Sequence, residues 1–139
     1  VLYPFYVVYM SRTAVYTDNQ VDGQLRAIEW LEENADPDAV IVTDNYAFVD
    51  LRESFPGTQH YWRVDADPEI KFTVLDDNHC NIDYVLVTNQ VLSDVEEYKL
   101  ELVRRAIENS EILFSYDNNG WPIELRQVTK DNCPVVDEL

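Results

Sequence analysis

Two kinds of hydrophobic spacing alternate along this chain, one matching helices and the other matching buried strands. Val21, Leu25, Ile28 and Leu31 recur at helical spacing behind Thr17-Asp18-Asn19-Gln20, which has the form of a capping box, until Asn34, Asp36 and Pro37 stop the pattern. Ala39-Val40-Ile41-Val42-Thr43-Asp44 follows as a compact β-branched run, suited to a strand covered on both faces. A short helical segment is expected from Ala47 to Ser54, and then a turn at Ser54-Phe-Pro-Gly-Thr58. His60-Tyr-Trp-Arg-Val64 is strand-like, and Asp65-Ala-Asp-Pro68 ends it. From Glu69 to Asn81 the spacing favours neither helix nor strand.

Ile82-Asp-Tyr-Val-Leu-Val-Thr88 is a second buried-strand candidate. Ser93-Asp-Val-Glu96 reads as a capping box opening a helix that runs to Asn109, with Val95, Tyr98, Leu102, Val103, Ala106 and Ile107 as its apolar stripe. Ile112 to Tyr116 and Ile123 to Val128 flank Asp117-Asn-Asn-Gly120, a hairpin signal because Asn119-Gly120 accepts the positive φ angles of a tight turn. Strand candidates separated by helices imply parallel pairing, and the hairpin adds an antiparallel edge. The fold class expected is α/β: a single layered domain, a mixed sheet with flanking helices and a C-terminal β-hairpin. That domain is expected over 17–130, with an apolar leader over 1–16 and a flexible tail over 131–139.

The leader changes the picture. Residues 1–10, Val-Leu-Tyr-Pro-Phe-Tyr-Val-Val-Tyr-Met, are almost unbroken apolar and aromatic. About 20 apolar residues are needed to cross a bilayer, so this stretch cannot span one, while Tyr, Pro and Phe suit a chain leaving lipid through the interfacial belt. A signal peptide fits poorly, because no basic segment precedes the run and no small-residue cleavage site follows it. Two readings stay open: a severed end next to a membrane span, or a first strand or helix of an ordinary core.

With 139 residues, 46% of them hydrophobic, the chain can bury a core of its own. Its 27 acidic residues against 10 Lys plus Arg give a formal charge of −17, which repels phosphate backbones and anionic headgroups. Nucleic acid is therefore excluded as a partner. Cations, basic proteins and a salty exterior are compatible, and solubility alone also accounts for the charge. Outside the cytoplasm Cys80 and Cys133 can pair; otherwise they are small buried hydrophobes.

Candidate chemistry is thin. Asp18-x-Gln20-x-Asp22-Gly23-x-Leu25-x-x-x-Glu29 approaches a calcium-binding EF-hand loop, but Gln20 replaces the usual Asp or Asn and a capped helix explains the same residues. Asp65-Ala66-Asp67 has the Asp-x-Asp pattern that holds a divalent cation against a diphosphate, yet no glycine-rich loop or basic cluster accompanies it. His79-Cys80 with Cys133 amounts to three zinc ligands without zinc-site spacing, and a turn beside a disulfide accounts for them. No nucleophile stands beside a base, so no catalytic residue, cofactor or metal is assigned. Asp44 and Asp50 follow the first buried strand, where open α/β sheets place their ligand crevice, and Trp62 and Trp121, with Tyr61 and Tyr116, offer faces for a sugar ring or lipid edge. A helix cap and core packing are the plainer roles for these residues.

The order Ala27-Ile-Glu-Trp-Leu31, Val40-Ile-Val-Thr-Asp44, Tyr61-Trp-Arg-Val-Asp-Ala-Asp-Pro68, Ile82-Asp-Tyr-Val-Leu-Val-Thr88 and Pro122-Ile-Glu-Leu-Arg126 resembles a known setting. It is similar to the soluble extracytoplasmic region that follows the last membrane spans of polytopic glycosyltransferases using lipid-linked sugars, the protein O-mannosyltransferase-like family 39. The resemblance runs from Asp18 to Val128 and rests on structural patches rather than catalytic motifs. It implies a non-catalytic domain outside the cytoplasm, at the cell membrane, whose partners are the membrane-embedded part of the same polypeptide and a glycan or protein acceptor. The catalytic carboxylate of that family lies in an early extracytoplasmic loop with no counterpart here. The rival expectation is a freestanding extracellular binding module, calcium-dependent if the loop at Asp18 holds an ion.

Overall fold

The structure is a computed structural model that describes residues 23–118, 121–131 and 133; for 45, 46, 117, 118 and 121 the backbone alone is described. Residues 23–34 form helix α1, followed by strand β1 (Ile41–Thr43), helix α2 (Asn45–Leu51), strand β2 (Gln59–His60) and helix α3 (Tyr61–Ala66). A short π-helix (Glu69–Val74) and a 3₁₀ turn (His79–Asn81) lead into strand β3 (Tyr84–Thr88). Helices α4 (Asn89–Glu97) and α5 (Glu101–Glu108) precede the long hairpin of β4 (Ser110–Asn118) and β5 (Trp121–Val128).

The five strands form one mixed sheet in the order β2-β1-β3-β5-β4. β1 runs parallel to both β2 and β3, whereas β5 is antiparallel to β3 and β4. Residues alternate between the two faces of this sheet, and the alternation sorts the core into two clusters. Ile41, Tyr84, Leu86, Ile123 and Leu125 pack against Ala27, Ile28 and Leu31 of α1 and Ala47 and Leu51 of α2. Val42, Val85, Val87 and Val128 pack against Tyr61 and Val64 of α3, Val91 and Val95 of α4, and Leu102, Val103 and Ala106 of α5. The result is a three-layer α/β domain with a mixed sheet and a C-terminal hairpin, as the hydrophobic pattern predicts.

Gly23 opens the described part of α1 where that helix meets the hairpin: a Cβ there would lie 2.8 Å from Tyr116 Cδ1 and 3.2 Å from Ile123 Cδ1. The hairpin register extends the expected pairing to Asn118 opposite Trp121, and the turn residues 119 and 120 lie outside the described residues. So do 1–22, which hold the apolar leader and Asp18 to Asp22 of the calcium-like loop. The rest of that loop, from Gly23 to Glu29, is helical.

Two expected elements differ. His60 to Val64 is not a strand: β2 stops at His60, whose Nδ1 accepts the Trp62 N–H at 3.2 Å and starts α3, and Tyr61 and Val64 are buried at helical spacing. The helix expected from Ser93 to Asn109 is two helices. Thr88, not Ser93, caps α4 by accepting the Val91 N–H at 3.3 Å, and the chain breaks at Lys99, whose φ of 53° no continuous helix tolerates. Within the expected tail, the Cys133 sulfur is bonded to Cys80 and its N–H donates to Lys130 O at 3.1 Å.

Candidate functional site

The connection from β1 leads outward to β2, and the chain then returns to β3 on the opposite side of β1. The carboxyl ends of β1 and β3 therefore flank the point where the strand order reverses, the position at which open α/β sheets form ligand crevices. Asp44 leaves β1 at this point. It is buried, and its Oδ1 accepts the Ala47 N–H at 3.0 Å, so it caps α2. Thr88 caps α4 in the same way from the end of β3.

Two buried side-chain atoms among the described residues lack a protein hydrogen-bond partner, Thr43 Oγ1 and His60 Nε2. Their residues are paired in the sheet, Thr43 directly opposite His60 in the parallel ladder. His60 Nδ1 is an acceptor in the cap of α3, so the neutral ring carries its proton on Nε2, and burial pushes its pKa below the usual histidine value against the opposing pull of Asp44. The carboxyl ends of β1 and β2 thus hold a hydroxyl and an imidazole N–H, and leaving such groups bare costs about 1–3 kcal/mol each.

Beside them lies a carboxylate whose capacity is already used. The Tyr61 hydroxyl donates to Asp94 Oδ2 at 2.5 Å, and Gln90 Nε2 lies 3.1 Å from each of the two Asp94 oxygens. The Tyr61 hydrogen bond is the main cause that holds Asp94 below the usual carboxylate range, opposed by burial and aided by Gln90 and Trp62. Burial, and then Asp94 itself, raise the Tyr61 phenol far above its ordinary value. This group locks α3 to α4.

The chain matches no known protein family, no curated protein and no solved structure. The site therefore stands on its own geometry.

Of the four residues singled out by sequence, Asp44 and Trp62 border this cluster. Trp62 is half-buried, packs against the α3–α5 side of the core and lies 4.7 Å from the ring of Tyr98. Asp50 is exposed on α2 and apart from the buried group. Trp121 sits in β5 opposite Asn118, and its side chain lies outside the described residues. Thr43, His60 and Asp94 escaped the sequence reading as site residues, and Tyr61 entered it only as part of an aromatic platform. Tyr61 and Asp94 are 33 positions apart, so no local spacing signals their contact.

The Asp-x-Asp segment is structural. Asp65 accepts the N–H groups of Leu102 at 2.9 Å and Val103 at 3.2 Å and stands 3.4 Å from Lys71 Nζ, while Asp67 pairs with Arg63 at 2.8 Å. The two carboxylates serve different partners. At the opposite end of the sheet a cleft of about 370 Å³ is bordered by Asp36, Asp38, Asp83 and Lys130. There Asp83 accepts the Val40 N–H at 2.8 Å and faces Lys130 at 3.4 Å, so it joins strands rather than awaiting a ligand. Among the described residues no helix is long and apolar enough to cross a membrane.

Proposed function

We propose that this chain is a non-catalytic domain lying outside the cytoplasm, belonging to a membrane-bound glycosyltransferase that uses lipid-linked sugars. Its task is to position the acceptor or to pack on the membrane-embedded part. The observation that carries the location is the disulfide between Cys80 and Cys133, a bond that persists in oxidising compartments and is rare in the cytosol. The non-catalytic reading is supported by how the buried carboxylates are used: Asp44 caps α2, Asp65 caps α5 and Asp94 holds Tyr61 and Gln90. Removing residues 18–139 from the intact parent enzyme, with its membrane part verified as folded, is the test. Reduced sugar transfer is the expected result; unchanged transfer and unchanged folding of the truncated enzyme overturn the role.

The neighbouring Thr43 and His60 favour a second reading, a freestanding extracellular module that takes a hydroxyl-bearing ligand at the carboxyl ends of β1 and β2. The coding sequence upstream separates the two: several hydrophobic spans support the first, and a single signal peptide supports the second.

A further inference from the structure

The geometry points to a redox-gated zinc site formed by His79, Cys80 and Cys133, closed while the two sulfurs are bonded and opened when they are reduced. A ring nitrogen of His79, Cys80 Sγ and Cys133 Sγ all lie within 4.8 Å of one another. His79 Nε2 stands 3.7 Å from Cys80 Sγ. A tetrahedral zinc with one nitrogen at about 2.1 Å and one sulfur at about 2.3 Å separates those ligands by about 3.6 Å. The nitrogen and its neighbouring sulfur are therefore already at the edge length the ion requires, and only the bonded sulfurs need to part, to about 3.8 Å.

The backbone holds the three residues together without help from the S–S bond. Asn78 Oδ1 accepts the Cys80 N–H at 2.9 Å, Ile82 N–H donates to His79 O at 3.0 Å, and Asn81 Nδ2 donates to Leu75 O at 2.7 Å, fixing the 3₁₀ turn. Across from it, Thr129 N–H donates to Asn109 O at 2.8 Å and Cys133 N–H to Lys130 O at 3.1 Å, while Lys130 Nζ bridges the two sides by donating to Cys80 O and to Ile82 O. None of these contacts uses a sulfur atom. One zinc with two thiolates and a neutral imidazole carries no net charge, so the site adds no repulsion, and its fourth position is open to water.

The chemistry balances. A thiol reductant supplies two electrons and two protons to the Cys80–Cys133 bond and is itself converted to a disulfide, giving two protein thiols. Zinc then takes both as thiolates with the His79 imidazole and releases two protons. An oxidant of the disulfide class reverses the sequence and ejects the ion. The inference goes beyond the proposed location, since the domain can carry the disulfide outside the cell whether or not its reduced form takes metal.

The test uses the full chain, reduced with a phosphine, desalted without oxygen and titrated with Zn²⁺, with Co²⁺ as an optical probe. One equivalent bound by the reduced protein, none by the oxidised protein, at least a tenfold loss in His79→Ala and a cobalt spectrum of tetrahedral thiolate type are the expected results. Near-UV circular dichroism follows the fold, and a reduced chain that keeps or regains its native signal with one equivalent of zinc supports the site. Metal taken up equally by His79→Ala, by the disulfide-bonded protein, or by a chain that stays unfolded overturns it, as does the absence of stoichiometric binding.

Discussion

Asp65 reaches from α3 across 37 positions to accept the backbone N–H of Leu102 at 2.9 Å, capping a helix to which it does not belong. Leu100, which precedes α5, has no side-chain oxygen with which to do this locally. Replacing Asp65 by Ala is therefore expected to cost about 0.5–2 kcal/mol, the worth of a cap, and to strand Lys71 without its partner. Asp65→Asn keeps an acceptor and is expected to lose less. Urea unfolding of the two variants measures the difference, and neither change should alter affinity for Mn²⁺, which separates a cap from the cation site that Asp-x-Asp suggests.

Tyr61 and Asp94 predict a pH dependence. Because the hydroxyl of Tyr61 depresses the Asp94 pKa in the folded state, the stability it contributes is present above the unfolded value, about 3.9, and is lost as pH falls through the lower folded value. Tyr61→Phe is expected to lower stability by about 1–3 kcal/mol at pH 7, because a buried carboxylate loses a donor, and to flatten the loss of stability below pH 4. Urea midpoints between pH 3 and 7 check both; parallel curves for the two proteins would contradict the coupling.

Much of the fold was legible in the sequence, because buried strands and amphipathic helices write their spacing locally. Ile41 to Thr43 and Tyr84 to Thr88 are apolar on both faces as a covered parallel pair must be, and Asn119-Gly120 marks the hairpin between β4 and β5. What escaped were decisions made by distant partners. Tyr61 to Val64 has strand-forming residues, yet the His60 cap and the burial of Tyr61 and Val64 at helical spacing make it a helix. The Ser93 capping box was overridden because Thr88, at the end of β3, starts α4 five residues earlier. At the candidate site, Asp44 was visible as the first residue beyond a buried strand, whereas the pairing of Thr43 with His60 depends on sheet register, which no single segment encodes.

Closing the loop between Cys80 and Cys133, 53 positions apart, is worth about 4 kcal/mol in the chain-entropy picture. Cys80→Ser with Cys133→Ser is expected to lower stability by up to that amount. At roughly 2–4 °C per kcal/mol for a domain of this size, calorimetry should show Tm falling by about 10 °C.

Gly57 is fixed by space. A Cβ at this position would lie 2.9 Å from the carbonyl oxygen of Ala39, a backbone atom that cannot swing aside without moving the entry to β1. Gly57→Ala is expected to destabilise the domain by about 1–3 kcal/mol, the usual cost of overpacking, despite the entropy that alanine removes from the unfolded chain. Denaturant unfolding measures it, and a neutral or stabilising result would mean that the turn shifts freely.

Charge sets the last expectation. With 27 acidic and 10 basic residues, the chain carries a formal charge of −17. Several of the described cations are themselves engaged, Arg104 with Glu101 and Glu108, Arg105 with Asp77, Arg126 with Glu124 and Lys130 with Asp83. Salt weakens both the exposed pairs and the repulsion, but exposed pairs contribute about 0–1 kcal/mol each while the uncompensated charge acts over the whole surface. Raising NaCl from 0.1 to 1 M shortens the screening length from about 10 to about 3 Å and is expected to raise stability by on the order of 1 kcal/mol or more. Urea midpoints across that range decide it: a midpoint that falls with salt would show that the ion pairs, not the excess of negative charge, dominate the surface.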